Sequence, residues 1–160
     1  MEAQNLLAEI DERRDELVAL CQDLIRSPSP NPPGDTREVA ATVTDYLRAT
    51  GLAVNRVADD PQMPNLASTL EGTRPGRHLT FIGHMDTFPV PEPEAWTFAP
   101  FGGEVSQGRI YGRGASDMKG GLAASMVAVA ALAQMGEALP GRIDFLAVSC
   151  EETFAPQGAP

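Results

Sequence analysis

The chain has few cysteines and few basic side chains, and each shortage excludes a class of protein. Its two cysteines, Cys21 and Cys150, are far apart in the 160 residues and lack the spacing of a disulfide framework. A reduced, cytoplasmic protein is therefore expected. Lys and Arg number 12 against 22 Asp and Glu, which gives a formal net charge of −10. Because such a chain repels phosphate backbones, nucleic acid is not an expected partner.

Long hydrophobic runs are also missing. The first residues, MEAQNLLAEIDERRDE, are acidic and polar and lack the apolar stretch of a signal peptide. No run approaches the ~20 apolar residues that span a membrane, so no membrane association is expected. Apolar residues still make up 42% of the chain. A chain of this length can bury about 70% of its unfolded surface, which is enough for one globular domain.

Hydrophobic periodicity predicts helices that alternate with strands. The predicted helices are Leu6 to Ile25, a segment capped by Asp35 or Thr36 that ends at Gly51, and Met118 to Met135, closed by Gly136. The predicted strands are Leu52–Val57, Asn65–Glu71, His78–Gly83 and Arg142–Ser149, with a small hairpin at Glu104–Tyr111. This alternation predicts an α/β fold, in which ligands bind at the carboxyl ends of strands.

His84 and Asp86 follow the third predicted strand, in the sequence GHMDT. Two residues that lie two apart in an extended chain present their side chains on the same face. A carboxylate there can accept the imidazole proton that a metal leaves in place, which orients the ring as a ligand. The pair alone is a weak signal, since a structural histidine at a strand end is the more common explanation.

Asp117 lies in the glycine-rich sequence GRGASDMKGG, directly before the alanine-rich helix. Glycines permit tight backbone turns, but an Asp at this place could equally be a helix cap. The order GxxxxGK[ST] is absent, which disfavours a phosphate loop. Lys119 is expected to form a local ion pair or to face solvent.

Glu151 and Glu152 directly follow the last predicted strand. Adjacent acids commonly form a solvated loop, but at a strand end one can bind a metal while the other reaches a reacting water. Three separate segments thus each deliver an acid or an imidazole. Mixed histidine and carboxylate ligands suit zinc, manganese or cobalt.

The motifs GHMDT at 83–87, GRIYGRGASDMKGGLAA at 108–124 and CEE at 150–152 resemble one metallohydrolase family. It contains acetylornithine deacetylase, succinyl-diaminopimelate desuccinylase, aminoacylase and glutamate carboxypeptidase. The resemblance covers about residues 5 to 153. It implies the three-layer α/β/α catalytic domain of the zinc-peptidase type, with residues 1–160 as its N-terminal portion.

The resemblance also implies roles for five residues. His84, Asp117 and Glu152 would be metal ligands, with Asp117 bridging two divalent ions. The implied metal is zinc, with cobalt or manganese as alternatives. Asp86 would orient His84, and Glu151 would be the general base that activates the bridging water. The implied reaction is cleavage of an amide bond in an N-acyl amino acid or small peptide.

Family members are well over twice as long as this chain, so it is expected to be truncated. Their remaining ligands, lid and dimerisation domain come from later sequence, and the full-length form is expected to be a homodimer. His78 cannot replace a missing ligand, because it lies about 20 Å from His84 in an extended strand. Cys150 stands where the family usually has Asp or Gly, and is expected to be only a small apolar residue.

Three hypotheses for function follow. The chain is part of an amide hydrolase, or it is an inactive remnant that binds metal weakly or serves as an interaction module, or it is a phosphoesterase with two metals. The glycine-rich motif favours the first over the third. The missing ligands favour the second for the isolated chain, which is expected to show negligible turnover and to associate through exposed apolar surface.

Overall fold

A computed structural model describes residues 3–57, 60–134 and 139–153. The regular elements in chain order are α1 (Ala3–Glu12), α2 (Arg14–Arg26), α3 (Arg37–Ala49), β1 (Val54–Val57), β2 (Asn65–Glu71), β3 (Arg74–His84), β4 (Glu104–Ser106), β5 (Arg109–Tyr111), α4 (Gly120–Gln134) and β6 (Pro140–Val148). Short helical turns occur at Pro93–Ala95 and Ala115–Lys119. Among the described helices, none has the length and apolar character needed to cross a membrane.

Four strands form one mixed sheet in the order β1-β2-β6-β3, and β4 and β5 form a separate hairpin. The first two pairings are antiparallel, whereas β3 and β6 run parallel. His84 at the end of β3 therefore pairs with Val148 at the end of β6. The residues that follow these two strands emerge side by side at one edge of the sheet.

The core lies between one face of the sheet and the helices α2, α3 and α4. Leu66, Phe145 and Ala147 supply the strand side, and all three are buried. Burying a large apolar side chain contributes about 1.5–3 kcal/mol, so this layer fixes the sheet against the helices. The opposite face carries Ile82, which is half-exposed. The α/β class is confirmed, and within the described residues the helices form one layer.

The single helix predicted from Leu6 to Ile25 is wrong, because the chain forms two helices that separate at Arg13. Arg13 has φ −91° and ψ 15°, outside the helical region, and its N–H donates to the Ile10 carbonyl. Its guanidinium donates to Glu9 and to Gln134 at the end of α4. This contact with a distant helix, which periodicity does not reveal, accompanies the break.

Asp35 and Thr36, the two residues predicted as caps of α3, both lie at its start but make different contacts. Thr36 occupies the cap position, but its hydroxyl bonds the Ser149 hydroxyl at 2.7 Å. The Asp35 carboxylate accepts the Arg37 backbone N–H at 3.1 Å. The other predicted strands and the hairpin are found, with β3 beginning four residues earlier than predicted, at Arg74.

The alanine-rich helix begins at Gly120 rather than at Met118. Asp117 has φ −129° and ψ 100°, and Met118 has φ −130° and ψ 29°, so neither continues a helix. The peptide bond between them is cis. Gly136, the predicted end, lies outside the described residues.

Candidate metal centre

His84 ends β3 with its imidazole buried and only 5% exposed. Its Nδ1 lies 2.9 Å from the Asp86 backbone carbonyl and 3.6 Å from the Asp86 carboxylate. Asp86 therefore faces the ring with both its backbone carbonyl and its carboxylate, and the carbonyl is the nearer of the two. Its Nε2 lies 3.0 Å from Asp117 Oδ1. The ring is held from one side and presents its second nitrogen to the acids.

The surroundings of His84 favour its charged form in the metal-free chain. Burial alone would lower the pKa of His84, since it penalises the cation. Hydrogen bonds with Asp86 and Asp117 outweigh that effect and raise the pKa to about 9. The site therefore attracts positive charge at Nε2, where a proton and a metal ion would compete.

Asp117 comes from the irregular turn between Gly114 and α4. Gly114 has φ +80°, and a Cβ there would lie 2.6 Å from the Thr87 methyl group, so a larger residue would be strained and would collide. Asp117 is a possible helix cap by sequence, but it lies inside the irregular turn, three residues before the first residue of α4, Gly120. Its side chain is instead 76% exposed and directed at His84.

Asp86 connects the two strand ends that carry the site. Its buried carboxylate accepts the backbone N–H groups of Glu151 and Glu152, each at 3.2 Å. It also accepts the Asn31 amide at 2.9 Å. Burial would raise the pKa of Asp86, but hydrogen bonds from His84, Asn31 and the two amides lower it below its ordinary value. An ionised Asp86 therefore anchors the loop after β6.

Glu151 and Glu152 reach the cluster after a sharp turn at Cys150, whose φ is +66°. One ligand atom each of His84, Asp117 and Glu152 can be chosen so that all lie within 4.8 Å of one another. Glu151 Oε2 lies 3.8 Å from His84 Nε2. The five residues singled out in the sequence thus meet at one place.

The donor set fits a divalent cation. One imidazole and two carboxylates supply the nitrogen and oxygen ligands of zinc sites. Burial raises the pKa of Glu152, His84 opposes the shift, and the negative charges of Asp117, Asp86 and Glu151 add to it. A bound cation would offset this mutual repulsion of acids.

Two other candidates lie apart from the cluster. His78 bonds Asp144 at 2.6 Å on the exposed part of β3 and, within the described part of the chain, is not among the residues that could hold a metal with His84. Cys150 is buried, with its Sγ 3.4 Å from the Met63 sulfur, in keeping with a small apolar role.

The prediction for Lys119 is wrong, and Asn31 was missed. Lys119 is fully buried and donates to the backbone carbonyls of Leu24 and Ser27, rather than forming an ion pair or facing solvent. Asn31 lies in the proline-rich segment that sequence patterns identify only as a helix end. The one available signal was a lone amide side chain among prolines.

The family model described as Peptidase family M20/M25/M40 matches residues 80–160. The matched region contains the carboxyl end of β3 with His84, the glycine-rich motif and the glutamate pair. The chain belongs to this family, whose members are metal-dependent hydrolases. The resemblance expected from the motifs is thereby confirmed.

Curated relatives match nearly the whole chain. An N-formyl-4-amino-5-aminomethyl-2-methylpyrimidine deformylase of Halalkalibacterium halodurans is 39% identical over 152 residues, covering 93% of this chain and 36% of the relative. A succinyl-diaminopimelate desuccinylase of Methylocella silvestris is 40% identical over 143 residues, covering 88% of this chain and 36% of the relative. The chain therefore spans little more than a third of the length of these relatives.

The fold is similar to that of solved structures in the same family. Human carnosine dipeptidase 1 superposes with a TM-score of 0.81 at 25% identity, covering 96% of this chain and 36% of that one. This similarity confirms the fold class.

Proposed function

We propose that this chain is the N-terminal catalytic part of a metal-dependent hydrolase that cleaves the amide bond of an N-acyl amino acid or small peptide. The observation that carries the proposal is the convergence of His84, Asp117 and Glu152 within 4.8 Å. The named relatives remove formyl or succinyl groups, and the structural neighbour is a dipeptidase. These names share the chemistry of amide cleavage.

His84, Asp117 and Glu152 would hold the metal, with Asp117 shared between two divalent ions. Zinc is the first choice for this donor set, and cobalt or manganese can replace it. When bound, the ions polarise the scissile carbonyl and make water more acidic. The adjacent carboxyl ends of β3 and β6 supply the rigid support that such ligands need.

Glu151 is suited to move the proton. Its carboxylate is partly exposed and lies 3.8 Å from His84 Nε2, at the open side of the cluster. It would accept a proton from the attacking water and then donate that proton to the leaving amine. Asp86 holds the Glu151 backbone N–H and so fixes where this carboxylate can reach.

We propose that the remaining metal ligands, the lid and the dimer contacts come from sequence beyond this chain. That sequence corresponds to the roughly two thirds of the relatives' length that the chain does not span. The experiment compares the 160-residue chain with a protein extended to the relatives' length. Both are assayed with Zn²⁺ or Co²⁺ on an N-formyl compound, an N-succinyl amino acid and a dipeptide. Turnover is expected from the extended protein and not from the short chain.

Glu151→Gln is the matched variant, because it keeps the size of the side chain and removes its ability to accept a proton. In the extended protein it should lower kcat by about 10²–10⁴-fold while metal binding stays unchanged. Wild-type turnover in Glu151→Gln, or failure of the wild-type protein to bind either ion, would contradict the proposal.

A further inference from the structure

Lys119 is a buried charge that the proposed chemistry does not use. Its side chain is fully buried, and its Nζ donates to the Leu24 carbonyl at 2.8 Å and to the Ser27 carbonyl at 2.7 Å. Both acceptors lie at the C-terminal end of α2, where carbonyls lack partners within the helix and the helix dipole is negative. The ammonium is therefore the C-terminal cap of a helix distant in sequence.

A buried lysine is a costly way to fill space. Burial lowers the pKa of Lys119 to about 8, although the negative charge of Glu38 opposes this shift. An apolar side chain of similar volume would fill the same place without losing the hydration of a charge. The benefit of lysine must therefore lie in the directed hydrogen bonds that it makes.

Those bonds fix one end of the turn that carries Asp117. The Lys119 N–H donates to the Gly114 carbonyl at 2.8 Å, which closes the turn, and the side chain ties it to α2. Between these points, Asp117 and Met118 have non-helical dihedral angles. The place of the exposed Asp117 carboxylate thus depends on how the ends of the turn are held.

We propose that Lys119 is a positioning residue, which sets the Asp117 carboxylate against His84 by anchoring the turn to the end of α2. The inference extends the proposed function, because Asp117 and His84 are its metal ligands. The geometry it explains, 3.0 Å between Asp117 Oδ1 and His84 Nε2, belongs to the metal-free chain.

The test begins without metal, by NMR of the imidazole signals in the 160-residue chain. The chain contains two histidines, so each spectrum separates His84 at the site from His78 outside it. Lys119→Met keeps the length of the side chain and removes its donors. It should shift the His84 signals in the direction seen for Asp117→Asn, while His78 keeps its wild-type signals.

Tyr46→Phe is the control for a general loss of stability. It removes a hydrogen bond of 2.7 Å to Glu16 and touches no residue of the site, so both histidines should keep their signals.

Lys119→Arg, which retains a cation for the two carbonyls, should return the His84 signals toward their wild-type position. Unchanged His84 signals in folded Lys119→Met would overturn the proposal. If Lys119→Met does not fold, Lys119→Gln takes its place, and unfolding of both would assign Lys119 to the fold alone.

Co²⁺ titration followed by visible absorption supplies the second readout. Lys119→Met should bind Co²⁺ about 10- to 100-fold more weakly than wild type and show an altered spectrum. Wild-type affinity and spectrum in this variant would contradict the role of Lys119. If the wild-type protein extended to the relatives' length binds no Co²⁺, the proposed function fails, while the metal-free NMR comparison of the 160-residue chain still decides the role of Lys119.

Discussion

The two histidines of the chain lie on the same strand and both contact an aspartate, yet their surroundings differ. His78 lies 2.6 Å from Asp144 and its side chain is 55% exposed. His84 lies 3.0 Å from Asp117 and is 5% exposed. The shorter distance belongs to the pair with the exposed histidine, where water weakens an ion pair. Distance alone therefore does not distinguish a site from a surface contact.

The difference arises at the two ends of β3. Near His78 the strand faces water, and Asp144 on the adjacent strand β6 bonds Arg142 of its own strand and Thr69 of β2. At its carboxyl end the strand is buried, and Asp86 joins it to the loop after β6. Burial strengthens each electrostatic contact and fixes its geometry, so only this end can hold ligands in a defined arrangement.

The largest effect is expected for metal binding. His84→Ala should weaken Zn²⁺ or Co²⁺ binding by about a hundredfold or more, since a ligand is lost where even a supporting residue costs about 10- to 100-fold. His78→Ala should leave the affinity at its wild-type value. Isothermal titration calorimetry of the 160-residue chain measures both. Equal losses in the two variants would remove the distinction between the ends of β3.

The next-largest effect is expected in the stability lost when Asp86 or Asp144 is replaced. Asp86→Ala leaves the amides of Asn31, Glu151 and Glu152 without their buried acceptor, and should lower the free energy of unfolding by about 3 kcal/mol. Asp144→Ala removes contacts with Arg142 and His78, whose side chains are about half-exposed to water, and should cost less, about 1 kcal/mol. Urea denaturation followed by circular dichroism compares them. A larger loss in Asp144→Ala would reverse the assignment of the structural anchor.

Much of this arrangement could be predicted from the sequence, because the signals were local. The strand before His84 is mostly apolar, and so is the strand before Glu151, so their ends were easy to place. Parallel pairing of these strands then brings their ends together without further information.

What could not be predicted depends on contacts between distant segments. Lys119 reaches α2 across 95 positions of sequence, and Arg13 reaches Gln134 across 121. Asn31 meets Asp86 across 55. Neither periodicity nor composition reports such pairings. A lysine inside a glycine-rich motif was therefore expected in solvent, although the fold buries it.

A smaller effect on stability is expected from the protonation of Asp144, which lies beside the exposed end of β3. Hydrogen bonds from Arg142 and Thr69, opposed by slight burial and aided by His78, lower the pKa of Asp144 from its ordinary 3.8 to about 2. A carboxyl whose pKa is lower in the folded state stabilises the fold above its unfolded pKa. That contribution is lost as the pH falls from about 4 to about 2.

Asp144→Asn removes the titrating group and keeps the shape of the side chain. The difference in unfolding free energy between wild type and Asp144→Asn should therefore shrink over that pH range. Urea midpoints measured at several pH values test this, and a difference that grows as the pH falls would contradict the assigned shift.

The smallest change in stability is expected on the open face of the sheet. Ile82 is half-exposed there, whereas its neighbour Phe81 packs against the core. Ile82→Thr keeps a β-branched side chain in the strand and should alter the free energy of unfolding by about 0.5 kcal/mol or less. It should also reduce self-association of the 160-residue chain in light scattering, because it removes exposed apolar area.

Phe81→Ala, the control on the other face, should destabilise the fold by about 3 kcal/mol without reducing association. Self-association that is equal in wild type and Ile82→Thr would show that this face does not drive contact between copies.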